Sequence, residues 1–187
     1  RGGAHAAEAS SNAPTFDFDR DFGKLAKADF WADATLWRAA FAAGRMDEVI
    51  ARYGHRKAFQ GWYISHEIPT YDEGVMKVYE ALATHLRGLK KLPILISPYI
   101  KGPKQFDDAI SVDQHAKEWD KVFARIQNHV DIVAFQDGNA PYTELRDFLR
   151  VNAELARKYG LVSWSNVESF DRDMPIKFPP IGWPKLR

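Results

Sequence analysis

Glu67 and Glu168 are the residues of this sequence whose type and spacing could most directly do chemistry. Each closely follows a short apolar run, 59–65 (FQGWYIS) and 161–167 (LVSWSNV), and 101 positions separate the two. Paired carboxyl groups can cleave an acetal. One, kept protonated by burial, gives a proton to the leaving oxygen; the other, ionised, attacks carbon or activates water. Hydrolysis of a glycosidic bond needs that division of labour, so the pair is a candidate catalytic couple.

Two more runs of the same kind lie between them, 92–97 (LPILIS) and 130–135 (VDIVAF). Polar groups follow all four: His66-Glu67, Ser97-Pro98-Tyr99, Gln136-Asp137-Gly138-Asn139 and Glu168-Ser169. His66 either donates to a substrate, sets the protonation of Glu67, or makes a structural hydrogen bond at the strand end. Tyr99 either bonds the nucleophile, stacks on a sugar, or packs its loop. Gln136 and Asp137 are candidate ligands for sugar hydroxyls, with the alternative that Asp137 caps the turn at Gly138. Asn166 and Trp164 share the alternation of Glu168, which makes Asn166 a candidate to orient that carboxylate. Trp164 is then a sugar platform or barrel core. Trp62 reads as core.

No metal or cofactor is expected. His-Glu-x-x-His is absent, His115 and His129 fall in separate helical contexts, and no glycine-rich phosphate loop occurs. A cation held by Glu and Asp at the strand ends stays open as a third reading, in which the same carboxylates serve a lyase or isomerase.

The elements that must position these groups follow from periodicity. The four runs are strand-length, rich in β-branched and aromatic residues, and nearly continuous in hydrophobicity, as in strands covered on both faces. Between them, 73–90, 112–128 and 142–159 carry apolar residues at a helical period, and Gly160 sits where a helix should stop. Alternating strands and helices at a 30–40-residue repeat (roughly one βα unit) predict an α/β fold with a parallel sheet. Active sites of β/α barrels assemble at the C-terminal strand ends, where all four polar groups lie. Four strands cannot close an eight-stranded barrel, so the barrel is read as partial, its open edge covered by a missing segment or a partner.

The front of the chain differs. Residues 22–53 are Ala-rich with a helical pattern, 15–19 form a candidate short strand, and the end from 171 is Pro-rich and irregular. Residues 1–20 read as a leader or an expression remnant, and 21–187 as the incomplete barrel domain. With 26 basic against 25 acidic residues, there is no electrostatic case for nucleic acid. No run approaches the length of a membrane span. Cysteine is absent, which excludes disulfides and thiolate chemistry.

The strings GWYISHEIP, LPILISPY, DIVAFQDG and WSNVESF, in this order, resemble a bacterial family of uncharacterised, glycosidase-like TIM barrels, a domain of unknown function whose members are often exported. They also resemble the retaining barrel glycoside hydrolases, which carry an acid/base Glu after strand four and a nucleophilic Glu after strand seven. That likeness implies a (β/α)8 TIM-barrel type in which strands four to seven are recognisable. Glu67 would be the acid/base, Glu168 the nucleophile, and His66, Tyr99, Gln136, Asp137, Trp164 and Asn166 the substrate contacts. One departure is His66, where that clan carries Asn. The expected substrate is a polysaccharide or oligosaccharide outside the cytoplasm, in the periplasm or secreted. The alternative is a catalytically weak carbohydrate-binding barrel that acts as a subunit or scaffold.

Overall fold

A computed structural model describes residues 46–170, 180–182 and 184. Its elements run β1 (Trp62–Ile64), α1 (Glu73–Leu89), β2 (Ile94–Ile96), α2 (Val112–Ile126), β3 (Ile132–Gln136), α3 (Tyr142–Tyr159) and β4 (Val162–Asn166). Residues 46–53 are also helical. The leader, the 15–19 strand and the rest of the front helical region lie outside the described residues, as does most of the irregular end.

Local signals fix the helix ends. Asp72 accepts from the Val75 amide at 2.8 Å to start α1, and Ser111 accepts from the Gln114 amide at 3.2 Å to start α2. Gly160 ends α3 in the left-handed region at φ 70°, a conformation that costs a residue with a Cβ.

The four strands are all parallel and lie in the order β1-β2-β3-β4. Sequential order without a switch point fits the winding of a β/α barrel. The described region is therefore an α/β layer with a four-stranded parallel sheet, which fits part of a barrel. The strands are shorter than the apolar runs. In the second run Pro93 has no N–H to give the ladder, so pairing starts at Ile94, while the Pro93 carbonyl takes the Trp62 amide at 2.8 Å.

One face of the sheet is core. Trp62, Ile64, Ile94, Ile96, Val133 and Phe135 are buried in one cluster with Tyr79, Leu86, Trp119, Phe123 and Phe148 of the helices. Trp62 is thus core, and its Nε1 donates to the Lys90 carbonyl at 3.1 Å. Two-sided cover, the expectation from continuous hydrophobicity, does not hold for the other face. There Tyr63 is 47% and Trp164 54% exposed. Alternation was masked because both exposed positions are filled by large aromatic rings.

Candidate active site

The loop that carries Glu67 is tied down at three carbonyls, those of residues 66, 68 and 69. The Tyr79 hydroxyl of α1 donates to the His66 carbonyl, the Tyr99 amide donates to the Ile68 carbonyl at 3.4 Å, and Trp119 Nε1 of α2 donates to the Pro69 carbonyl at 3.1 Å. The Ile68 side chain is buried, while Glu67 itself is exposed. A fixed backbone under an exposed carboxylate is a preorganised arrangement.

Three phenols feel the charge of that carboxylate. Partial burial pushes the Tyr63 hydroxyl above its ordinary pKa and the charge of Glu67 adds to this, against a hydrogen bond with Ser97. Tyr99 rises for the same two reasons, opposed by Lys101. Tyr79 rises chiefly through burial, then through Tyr63 and Glu67. All three therefore keep their protons and can donate.

Ser97 organises the next two strand ends. It is buried, donates from Oγ to the Ala134 carbonyl at 2.9 Å and accepts from Asn166 Nδ2 at 3.2 Å. Its own carbonyl accepts from Gln136 Nε2 at 2.9 Å. Above this network, on the open face of the sheet, Tyr63, Leu95, Ser97, Ala134, Trp164, Ser165 and Asn166 line a cavity of about 300 Å³.

Asp137 ties β3 to the end of β4. Its Oδ1 accepts the Glu168 amide at 3.0 Å and its Oδ2 accepts from Ser165 Oγ at 3.2 Å. Asp137 and Glu168 line a second cavity, also about 300 Å³, whose other walls include Lys104, Tyr142, Leu149 and Phe170. The Lys104 ammonium sits 3.9 Å from the centre of the Tyr142 ring. Ser165 borders both cavities.

Residues 8–187 match the family model described as Domain of unknown function (DUF4434). The chain belongs to this family. No curated protein matches this DUF4434 chain. A solved structure from Bacteroides thetaiotaomicron VPI-5482, described as a "putative alpha-L-fucosidase", is similar to it at 40% identity and a TM-score of 0.77. The likeness covers 93% of the DUF4434 chain and 60% of that structure's chain, so this chain spans somewhat over half the length of its neighbour.

Several sequence expectations need revision. Asp137 does not use its carboxylate to cap the Gly138 turn; both oxygens reach across to β4. The bond made by the Asn166 side chain is to Ser97, and Asp137 is the residue that holds Glu168 through its amide. The alternation that links Trp164 and Asn166 stops with the strand at Asn166, which is why it does not carry to residue 168. Tyr99 packs flat on Phe106, with ring centres 5.5 Å apart. Gln136 spends its amide on Ser97, and His66 is pinned by its carbonyl. Glu67 lines neither of the two cavities above, so the structure joins Glu168 to Asp137 in one cavity without Glu67.

Sequence reasoning overlooked Ser97, Ser165, Tyr63 and Gly138. A small hydroxyl ending an otherwise aliphatic run was the available signal for Ser97. Gly138 was read as a turn residue, although a close contact explains it better, as shown below. Among the described residues, no three His, Asp or Glu side chains cluster as metal ligands, and no helix is long and apolar enough to cross a membrane.

Proposed function

We propose that this DUF4434 chain carries the active site of a retaining glycoside hydrolase, with Glu67 as general acid/base and Glu168 as nucleophile. The observation that carries the reading is the position of both glutamates at the C-terminal ends of β1 and β4, the outer strands of a sequentially wound parallel sheet. Three interstrand steps of about 4.8 Å separate these strands by roughly 14 Å on the flat. In the proposed barrel, closure would bend β1 and β4 toward each other and shorten that gap.

In the proposed reaction the Glu168 carboxylate attacks the anomeric carbon as Glu67 hands its proton to the departing oxygen. The glycosyl ester on Glu168 is then hydrolysed by a water that Glu67 deprotonates, which returns both residues to their starting states. The Tyr63 and Tyr99 hydroxyls donate near Glu67, and exposed Trp164 offers an apolar face to a sugar ring on the open side. His66, Gln136 and Asn166 contribute at the mouth through their loops. The edges at β1 and β4 are covered by further barrel strands or a partner, and the substrate is an oligosaccharide or polysaccharide met outside the cytoplasm.

The test is a panel of 4-nitrophenyl glycosides and natural oligosaccharides, including 4-nitrophenyl α-L-fucopyranoside because of the B. thetaiotaomicron neighbour. Glu168→Gln should abolish turnover while sugar binding persists. Glu67→Gln should harm substrates with poor leaving groups more than aryl glycosides. Undiminished hydrolysis by Glu168→Gln would reject the mechanism.

One observation favours a second reading, a carbohydrate-binding barrel without turnover: Glu67 is not in the cavity lined by Glu168. Sugar binding with no hydrolysis by the parent chain or either variant would select it.

A further inference from the structure

Gly138 and Glu168 lie so close that a side chain at position 138 would have to displace the end of the Glu168 side chain. A Cβ built on Gly138 would lie 1.6 Å from Glu168 Oε2 and 2.6 Å from its Cδ. Conformation is not the reason for this glycine, because among the described glycines only Gly160 has a positive φ. The reason is space: the carboxylate of Glu168 rests on the bare Cα of Gly138. The preceding residue, Asp137, accepts the Glu168 amide and takes a second bond from Ser165, the penultimate residue of β4. The backbone of Glu168 is therefore held by Asp137, and its carboxylate has room beside Gly138, at the end of the adjacent strand.

We infer that Asp137 and Gly138 are positioning residues that form a cradle for Glu168, Asp137 setting its backbone and Gly138 its carboxylate. The inference rests on the reading of Glu168 as the reacting carboxylate, and it withdraws Asp137 from the set of sugar ligands. Both oxygens of Asp137 are occupied by β4, which leaves it suited to hold geometry rather than to exchange protons. Gly138 leaves room for the carboxylate to lie against the main chain. A methyl group at 138 would drive its oxygen back by about 1 Å or more. Displacement on that scale costs about 100-fold in rate when the displaced group reacts.

The cradle can be tested without a substrate. The side-chain carboxyl of Glu168, labelled with ¹³C in the full chain and assigned by its loss in Glu168→Gln, reports position through its chemical shift. Gly138→Ala and Asp137→Ala should move it. Asp137→Asn should leave the chemical shift nearly in place, since its amide oxygen still accepts from the Glu168 N–H and its NH₂ can donate to Ser165. Gly88→Ala is the control, because a Cβ there meets nothing within 4 Å. If Gly138→Ala fails to fold, the Asp137 pair decides alone. The inference is overturned if Asp137→Ala and any folded Gly138→Ala match Gly88→Ala, or if Asp137→Asn is as disruptive as Asp137→Ala. Failure of the glycosidase reading looks different: the resonance responds as expected, yet Glu168→Gln hydrolyses like the parent.

Discussion

Acidification from pH 7 to pH 4.5 should destabilise this domain through His115. The imidazole is fully buried, with the rings of Trp119, Phe135 and Phe148 around it, and its Nε2 lies 2.7 Å from Asn152 Oδ1. An amide oxygen only accepts, so Nε2 carries the hydrogen and Nδ1 is the bare nitrogen, buried without a hydrogen-bond partner. A second proton there would create a charge among aromatic rings. Burial accordingly pulls the pKa from 6.5 down to about 4, while the bond to Asn152 pulls weakly upward. The unfolded chain binds its proton near pH 6.5 and the native chain only near pH 4. Stability is then full above 6.5 and falls as pH drops between the two values, by roughly 2–3 kcal/mol at pH 4.5. That is a large share of the 5–15 kcal/mol (roughly) typical of a domain. Glu80, Asp108 and Asp120 also lose stabilising interactions in acid, because bonds to Arg125, Lys101 and Lys158 hold their carboxyls low. Their loss falls mostly below pH 4.5, since stability of that kind is present above the unfolded carboxyl value and lost beneath it. Urea unfolding at pH 7, 6, 5 and 4.5 checks the prediction, with His115→Gln as the variant that cannot titrate. A parent whose stability is flat across this range, or a His115→Gln variant with the parent's slope, would refute the reasoning.

Three further outcomes are expected. Gly102→Ala should cost about 1–3 kcal/mol in denaturant unfolding, because its Cβ would lie 2.0 Å from the Asn139 carbonyl oxygen, a backbone atom with little room to yield. Gly160→Ala should lower stability by about 1 kcal/mol in the same measurement, since Ala must hold φ 70° at the end of α3. Trp119→Phe removes the donor to the Pro69 carbonyl and should raise amide hydrogen exchange in the Glu67 loop, with slower exchange unchanged in β3 and β4.

The fold was legible because its signals are local and repeated. Helix α3 runs from Tyr142 to Tyr159 as the periodicity predicts, and Gly160 stops it as expected. The strands were legible as runs but not as faces: Tyr63 and Trp164 are large, apolar and exposed, so composition concealed which side of the sheet is open. At the site, residue types were legible and partners were not. Asp137 and Gln136 make hydrogen bonds that cross to a neighbouring strand end, and Asn166 reaches past β3 to the end of β2; such pairings depend on register, which no single run encodes. The role of Gly138 was hidden for another reason. A glycine after Asp is the commonest sign of a turn, and the contact that explains it involves a residue thirty positions later.

The strand-end contacts form a continuous series from one glutamate to the other. The Glu67 loop is bonded to the Tyr99 amide; the segment after Tyr99 packs Gly102 against the Asn139 carbonyl, which also accepts the Lys104 amide at 3.3 Å; and Asn139 adjoins the Gly138 on which Glu168 rests. The links up to Asn139 are made by main chain, and the last is the Glu168 side chain against Gly138. The consequence concerns how the spacing of two reacting carboxylates is set. Retention needs them about 5–5.5 Å apart and inversion about 6.5–9.5 Å, a difference smaller than the swing of one free glutamate side chain. A backbone relay can hold such a distance; two independently mobile side chains cannot. Under the proposed glycosidase reading, perturbing a main-chain link should act on turnover through the glutamate spacing, and Gly102→Ala, whose Cβ meets backbone, should act more strongly than Gly138→Ala, whose Cβ meets the end of a side chain.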